Sequence, residues 1–475
     1  MATVIIGAGV GGLSAAIALS ARGEKVTVLE SQAGAGGKML PVQLGDQDFD
    51  SGPTVLTMRW VFDELFALSG AQLDAHVKLQ PLRTLARHYW TGGAALDLFA
   101  DPQQTADAIG RFAGKTEADG YKTFSAAARR THQSLLQPFL KSQRPTPWGL
   151  SAAMPMADLL SINPFESLWH ALGRHFKDKR LQQLFGRYAT YCGSSPFTAP
   201  ATLMLVADVE AAGVWRVEGG MSALAKALYD HAKTLGVNFH FNCKAERIEL
   251  ESSTLSSVID AHGKRHPCKA IVVNADSEAV ATGLFSGQVG KAKASLSAIQ
   301  RSLSAVTWCA LTKENGLPLS HHTVFFSDDY AAEFADLKSG PAKNPTVYMC
   351  DQDQGRKLIL VNAPADAQGA PDDIEMRMLN RLQRCGLTLT MQAAPMLRRT
   401  PKDFAELYPA TAGALYGRAS QGWLSTFLRP KARTKIPGLY LAGGSTHPGP
   451  GVPMAALAGM RAAEALMQDR ALMFR

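Results

Sequence analysis

At 475 residues the chain is longer than one hydrophobic core normally organises, so two structural domains are expected. A composition 46% hydrophobic and 19% charged excludes an intrinsically disordered chain. The 49 Lys and Arg against 41 Asp and Glu give a net charge of +8, which permits attraction to phosphate-rich partners. No aromatic-interleaved basic cluster or DNA-reading motif accompanies that charge, so nucleic acid is set aside.

In chain order, Thr3 to Ile6 reads as a buried strand, Val10 to Ala21 as a helix and Lys25 to Glu30 as a second strand. Gly23 stands where a left-handed residue ends a helix. From about Arg111 to Gly193 the pattern is mostly helical, rich in Leu, Phe and Trp. A turn at Gly219-Gly220 opens a helix over Met221 to Lys233, followed by strands at Asn238 to Asn242 and Ala245 to Glu249. Lys269 to Asn274 is a short β-rich run, and Thr307 to Val361 mixes strand-like runs with turns. Ile436 to Ala442 is a strand entering Gly443-Gly444, and Val452 to Met467 is a helix. The opening segment has no basic stretch before its apolar run, so a signal peptide is not expected, nor is a spanning helix elsewhere. The six cysteines are scattered without a C-x-x-C pair, which argues for reduced thiols in a cytosolic protein and against a zinc site.

Gly7, Gly9 and Gly12 form G-x-G-x-x-G between a strand and a helix. The first glycine permits the tight turn, the second a close approach of backbone to a pyrophosphate, and the third the packing of helix on strand. The helix N-terminus then offers free N–H groups to phosphate. Glu30 ends the next strand, where a carboxylate accepts ribose hydroxyls and repels a 2′-phosphate. Gly34-Ala35-Gly36-Gly37-Lys38 adds a second flexible loop with a cation, which favours FAD over NAD. For Lys38 two readings stand, a pyrophosphate partner or a solvated surface lysine. Asp50-Ser51-Gly52-Pro53 is a tight turn, either facing a flavin or purely structural. Gly443-Gly444 and Gly449-Pro450-Gly451-Val452-Pro453 lead into a helix whose N-terminus suits the pyrimidine edge of a reduced flavin. His447 is either catalytic or a residue that fixes this loop.

These motifs, with Glu218-Gly219-Gly220-Met221, the strand Ala245 to Ile248 and Gly443-Gly444-Ser445-Thr446-His447-Pro448-Gly449, occur in an order that resembles the bacterial phytoene-desaturase-type carotenoid oxidoreductases over essentially the whole chain. Ser51 to Met58 and Trp215 to Met221 are most similar to the 1-hydroxycarotenoid 3,4-desaturases, also called hydroxyneurosporene or methoxyneurosporene desaturases. The resemblance implies an α/β fold with a Rossmann-type FAD-binding domain over 1–80, 215–290 and 425–475. A mixed α+β substrate and membrane-facing domain, inserted in two pieces, would occupy 81–214 and 291–424. It places Gly7, Gly9, Gly12, Glu30 and Lys38 on the ADP half of FAD and Ala245 where a backbone meets adenine, with Gly37 of the second glycine loop a further cofactor-binding candidate. Gly443, Gly444, Val452 and Pro453 fall beside the isoalloxazine, and Gly52 and Pro53 count as cofactor-binding on the flavin-facing reading of their turn.

The implied reaction removes two hydrogens from a C–C bond next to a polyene: hydride leaves C4 of a 1-hydroxy or 1-methoxy acyclic carotenoid for flavin N5, and a proton then leaves C3. The conjugated chain stabilises the charge, so no strong protein base is demanded; no catalytic acid, base or metal is assigned. Rival readings are phytoene or neurosporene desaturation, or isomerisation, on the same scaffold. An amine oxidase is disfavoured, because the aromatic pair beside the flavin and a cysteine for covalent attachment are not evident. More distant is a non-catalytic prenyl-lipid-binding relative, which needs no phosphate cradle. An apolar substrate must come from a bilayer, which implies a cytoplasmic protein held peripherally at the inner face of the membrane. Leu159 to Phe185, apolar residues interspersed with Arg174, Lys177, Lys179 and Arg180, reads either as a basic amphipathic surface at the headgroups or as an ordinary packing helix pair. No motif bears on oligomeric state.

Overall fold

The computed structural model describes residues 2–153, 163, 165–252, 254–291, 296–297, 300–365 and 369–473. Its nucleotide-type layer is built from β1 (Thr3–Ile6), α1 (Val10–Ser20), β2 (Val26–Leu29), α2 (Met221–Thr234), β3 (Asn238–His240), β4 (Ala270–Val273), β5 (Leu439–Leu441) and α3 (Val452–Met473). The strands form one parallel sheet in the order β5-β4-β1-β2-β3. Parallel sheets are covered on both faces, which is why β1 reads as unbroken Val and Ile rather than as an alternation. Ile5, Val28 and Val272 point to a core shared with α1 and α3. Val4, Ile6, Ile271 and Val273 point to the other face, against Ile248, Leu255 and Val258 of an antiparallel three-stranded sheet over Ala245–Glu251, Thr254–Asp260 and Arg265–Pro267.

Helix α1 is buried on every side from Gly11 to Leu19. Its contact with α3 is backbone-close: a Cβ on Gly459 would lie 2.0 Å from the Gly11 carbonyl oxygen. Gly23 has φ of +83°, as expected of the residue that ends this turn. The expected strands and helices are present, with ends that shift. The strand expected to run to Asn242 stops at His240, that over Ile436 to Ala442 shortens to Leu439–Leu441, and the helix beginning at Val452 continues to Met473.

A second, seven-stranded sheet has the order Thr388–Arg399, Ser304–Asn315, Arg356–Ala363, Val347–Asp351, His322–Phe325, Thr84–Tyr89, Ala95–Phe99. It is antiparallel except where His322–Phe325 runs parallel to Thr84–Tyr89. Helices between Pro102 and Ala211 pack beside it around Phe124, Phe176, Phe185 and Phe326.

That core decides the fate of Leu159 to Phe185. Leu159, Leu160 and Ile162 lie outside the described residues. Leu168, Leu172, Phe176, Leu181, Leu184 and Phe185 are fully buried against the protein itself. Arg174 pairs with Glu166 at 2.5 Å, Lys179 lies over Trp169, and Arg180 pairs with Asp178 and stacks on Phe112. Arg174, Lys177 and Lys179 are exposed and Arg180 is half-buried. The described apolar residues from Leu168 onward are thus packed by their own domain as a helix pair, whereas Phe165, at the start of the stretch, is 74% exposed.

Candidate active site

The turn after β1 is shaped by backbone contacts that exclude side chains. A Cβ on Gly12 would sit 2.0 Å from the Gly7 oxygen, and Gly7 itself has φ of +96°. Gly9 is the N-cap of α1, so the first-turn N–H groups of the helix face outward from the turn. The second glycine loop is stitched to the first: Gly36 N–H donates to the Ala8 carbonyl at 2.9 Å, and a Cβ on Gly37 would meet the Gly9 Cα at 3.1 Å. Glu30, buried at the end of β2, accepts from the Ala8 N–H at 2.6 Å and the Gln32 N–H at 2.8 Å. Cys243 N–H donates to the Glu30 carbonyl at 2.8 Å, which brings Ala245 alongside.

The distant segments arrive at the same place. A Cβ on Gly11 would be 2.9 Å from both the Gly443 nitrogen and the Ala455 oxygen. Gly52 lies against the Lys38 carbonyl, where a Cβ would be only 1.8 Å from its oxygen. One cavity of about 1150 Å³ results, and its wall includes Gly7, Gly9, Glu30, Gly37, Lys38, Gly52, Pro53, Ala245, Gly443, Gly444, Val452 and Pro453. That volume exceeds the several hundred Å³ of an ordinary single-ligand pocket, leaving room for a second molecule beside a dinucleotide. Gly12 is not in the wall; it serves packing.

Lys38 stands in the cavity wall and is not a solvated surface lysine. Its ammonium donates to the Leu415 carbonyl at 2.7 Å and lies 5.0 Å from the centre of the Tyr408 ring. Burial lowers its pKa, with the Asp276 charge opposing. His447 is 4% exposed, and its Nε2 is 3.0 Å from the carbonyl oxygens of both Phe139 and Ser142. Burial pulls its pKa down to about 4, so it is a neutral donor that fixes the loop.

Several site residues escaped the sequence reading. Asn274, at the end of β4, donates to the Gly7 carbonyl at 3.3 Å and touches Gly9, Gly11 and Gly443. Its one sequence signal is a polar residue directly after a buried parallel strand. Asp50 accepts from Met221 N–H at 2.6 Å and Ser222 N–H at 3.2 Å, which explains Gly220: a Cβ there would be 2.3 Å from the Asp50 carboxylate. The Gly219-Gly220 turn thus docks a helix N-terminus on a carboxylate of the chain. Deeper in the cavity, Glu210 accepts from Tyr188 and Tyr191 at 2.7 Å each and pairs with Arg187, whose guanidinium also bonds Tyr191. Arg187 and Glu210 are 5% and 3% exposed, a buried ion pair in the cavity wall.

The other end of the cavity is apolar. Leu135, Phe139, Leu150, Phe165, Trp423 and Phe427 line it. Phe165 is 74% exposed and meets Trp423 edge-on at 5.1 Å. Trp148, Leu424 and Leu428 nearby in sequence are exposed as well. Among the described residues no helix is long and apolar enough to cross a membrane.

A glycine-cradled nucleotide pocket at the carboxyl ends of a parallel sheet, roofed by a second sheet-and-helix unit, is the architecture of two-domain FAD-dependent oxidoreductases. The chain belongs to the flavin-containing amine oxidoreductase family, whose model matches residues 10–467. It is 46% identical to the hydroxyneurosporene desaturase of Rubrivivax gelatinosus, over 98% of this chain and 93% of that one. It is 39% identical to the hydroxyneurosporene desaturase of Rhodobacter capsulatus, over 98% of each. The fold is similar to that of wild-type putrescine oxidase bound to putrescine, with a TM-score of 0.61, 14% identity and 98% and 99% of the two chains covered.

Proposed function

We propose that this protein is an FAD-dependent carotenoid desaturase that introduces the C-3,4 double bond into 1-hydroxy or 1-methoxy acyclic carotenoids. The observation that carries the reading is the single cavity running from the glycine cradle into an apolar chamber, joined to a whole-length likeness to hydroxyneurosporene desaturases. Gly7, Gly9, Glu30, Gly37 and Ala245 would hold the ADP half of FAD, with Gly12 and Asn274 keeping the turn in shape. Lys38 would support the cradle through the Leu415 carbonyl. Gly52, Pro53, Gly443, Gly444, Val452 and Pro453 would flank the ring. Bound FAD supplies the two-electron acceptor for the hydride. The chain's own part is to hold a long apolar molecule in one orientation and to exclude water from it. Glu210, saturated by Tyr188, Tyr191 and Arg187, is poorly placed to take a proton.

The division into a nucleotide domain (1–80, 215–290, 425–475) and a substrate domain (81–214, 291–424) belongs to this proposal. It is supported by the five-stranded sheet drawing all its strands from the first set and the seven-stranded sheet all of its own from the second. Peripheral attachment at the inner face of the membrane belongs to it too, with the docking surface narrowed from Leu159–Phe185 to Phe165 and the exposed residues beside it at the cavity mouth. There Trp148, Phe165, Leu424 and Leu428 are exposed, with Arg144 and Lys431 close by. Replacing Trp148, Phe165 and Leu428 by Ser should weaken co-sedimentation with anionic liposomes; undiminished sedimentation refutes the mouth.

The reaction is tested by anaerobic mixing of FAD-loaded protein with 1-hydroxyneurosporene. Flavin bleaching together with a red shift of the polyene is expected. Reaction with phytoene or neurosporene alone overturns the substrate, and a product of unchanged mass overturns desaturation.

A further inference from the structure

Thr54 directly follows Pro53 in the cavity wall, and its hydroxyl is 2.6 Å from the Tyr348 hydroxyl. Tyr348, also in the wall, is in turn 2.8 Å from His322 Nδ1. His322 is 3% exposed, and its Nε2 has no hydrogen-bond partner. Protons can be assigned along this chain from the network. Burial, with the Arg187 charge adding to it, holds the imidazole neutral, so one ring nitrogen carries a hydrogen. An N–H buried without an acceptor costs more than a bare lone pair, which puts the hydrogen on Nδ1. Nδ1–H then donates to the Tyr348 oxygen; either hydroxyl can donate across the Thr54–Tyr348 pair, and we take the Tyr348 O–H as the donor to Thr54. The Thr54 hydroxyl hydrogen is left over, with no other partner among the described residues.

The neighbouring Arg187–Glu210 pair is different in kind. Both Glu210 oxygens are taken, and the Tyr191 hydroxyl both accepts from Arg187 and donates to Glu210. The acceptors of that network are filled, and its one donor unpartnered among the described residues, Arg187 Nε, is fully buried, whereas the Thr54 relay ends on a hydroxyl in the cavity wall. Its open end is a donor beside a proline that would flank the ring.

We propose that the Thr54–Tyr348–His322 relay is the receptor for the oxygen on C1 of the substrate, with the Thr54 hydroxyl donating to it. The inference rests on the functional reading above. Four bonds separate that oxygen from C4, each about 1.5 Å, so the two lie within about 5 Å of one another. A receptor for the oxygen must therefore stand next to the reacting carbons, and a residue adjacent to Pro53, with Cα atoms about 3.8 Å apart, satisfies this. A donor serves an alcohol and a methyl ether alike, since both oxygens accept. A hydrocarbon end would leave the Thr54 donor unpaired in an apolar chamber, and sites built to bond a hydroxyl discriminate strongly against its absence.

The test uses FAD-loaded wild type, Thr54→Val, Thr54→Ser and Tyr348→Phe, each checked for wild-type flavin content. Affinities for 1-hydroxyneurosporene and neurosporene are read from quenching of tryptophan fluorescence, and kcat/KM from product formation. Thr54→Val should lose about tenfold more affinity for 1-hydroxyneurosporene than for neurosporene. Thr54→Ser should restore most of it, and Tyr348→Phe should fall between. Equal losses for both carotenoids in Thr54→Val, or no loss, overturn the receptor while leaving the desaturase reading intact. A wild-type protein that neither binds nor desaturates 1-hydroxyneurosporene overturns that reading, and the receptor with it.

Discussion

The Glu30 carboxylate has two jobs at once, and Glu30→Gln separates them. In the folded chain its two oxygens accept from different backbone groups, Oε2 from Ala8 N–H at 2.6 Å and Oε1 from Gln32 N–H at 2.8 Å. Both are charge-assisted bonds in a buried setting. A glutamine offers one oxygen, so one of the two N–H groups faces an amide NH₂ and loses its acceptor. The cost is about 2 kcal/mol of stability, before any ligand is considered. Toward FAD the variant also lacks a full acceptor for the ribose, and a further loss of about 2 kcal/mol corresponds to a roughly 30-fold rise in Kd. Titration of apoprotein with FAD, followed by flavin fluorescence, measures the second effect; the apoprotein Tm measures the first. ADP as a competitor localises the defect, because Glu30 is assigned to the ADP half. A variant that binds FAD 30-fold more weakly but ADP as tightly as wild type refutes that assignment. An unchanged apoprotein Tm refutes the organising role.

Gly52→Ala should yield protein that has lost its yellow colour, because the new Cβ falls 1.8 Å from a backbone oxygen that cannot swing away. Gly34→Ala, whose Cβ meets only the end of the Leu40 side chain at 3.3 Å, should keep it; absorbance of the purified proteins decides. Arg187→Met leaves the Glu210 carboxylate buried without its cation and should cost about 3–5 kcal/mol in urea unfolding, whereas Arg187→Met with Glu210→Met should recover most of that. His447 has a folded pKa near 4, below its unfolded value of about 6.5, so the unfolded chain takes up a proton first as pH falls. Stability should therefore decline between about pH 6.5 and pH 4 by roughly 3 kcal/mol on account of this residue, with buried His88 and His322 acting in the same direction. His447→Asn should flatten the slope of urea midpoint against pH, and an identical slope refutes the assignment.

Local signals carried much of the site. Gly7 and Gly12 announce the turn because backbone contacts there leave no room for a side chain, Gly9 stands close against the Asn274 side chain, and Glu30 is found by its distance along one βαβ unit. What stayed hidden was set by partners far away in sequence. Thr54 meets Tyr348 across 294 residues, and Asp50 meets Met221 across 171. Nothing in the Gly219-Gly220 turn reveals that a carboxylate of the same chain caps the following helix. No local signal shows that Lys38 is held by a carbonyl 377 residues downstream. The amphipathic stretch ending at Phe185 shows a different limit. Periodicity reports that a face is apolar, and a neighbouring helix satisfies that requirement as well as lipid does.

The close packing of α3 on α1 has a bearing on how the protein is made. The Gly11 backbone touches Gly459, Ala455 and Gly443, and Arg470 ties to Glu24, 446 residues upstream. A ribosome adding about 5–20 residues per second needs tens of seconds to bring these pieces into existence together. During that interval the nascent chain carries a glycine-rich helix with its apolar flank uncovered and a half-built pocket that cannot retain flavin. Loading of the cofactor therefore waits until α3 has been made, and the emerging chain must be shielded from aggregation until then.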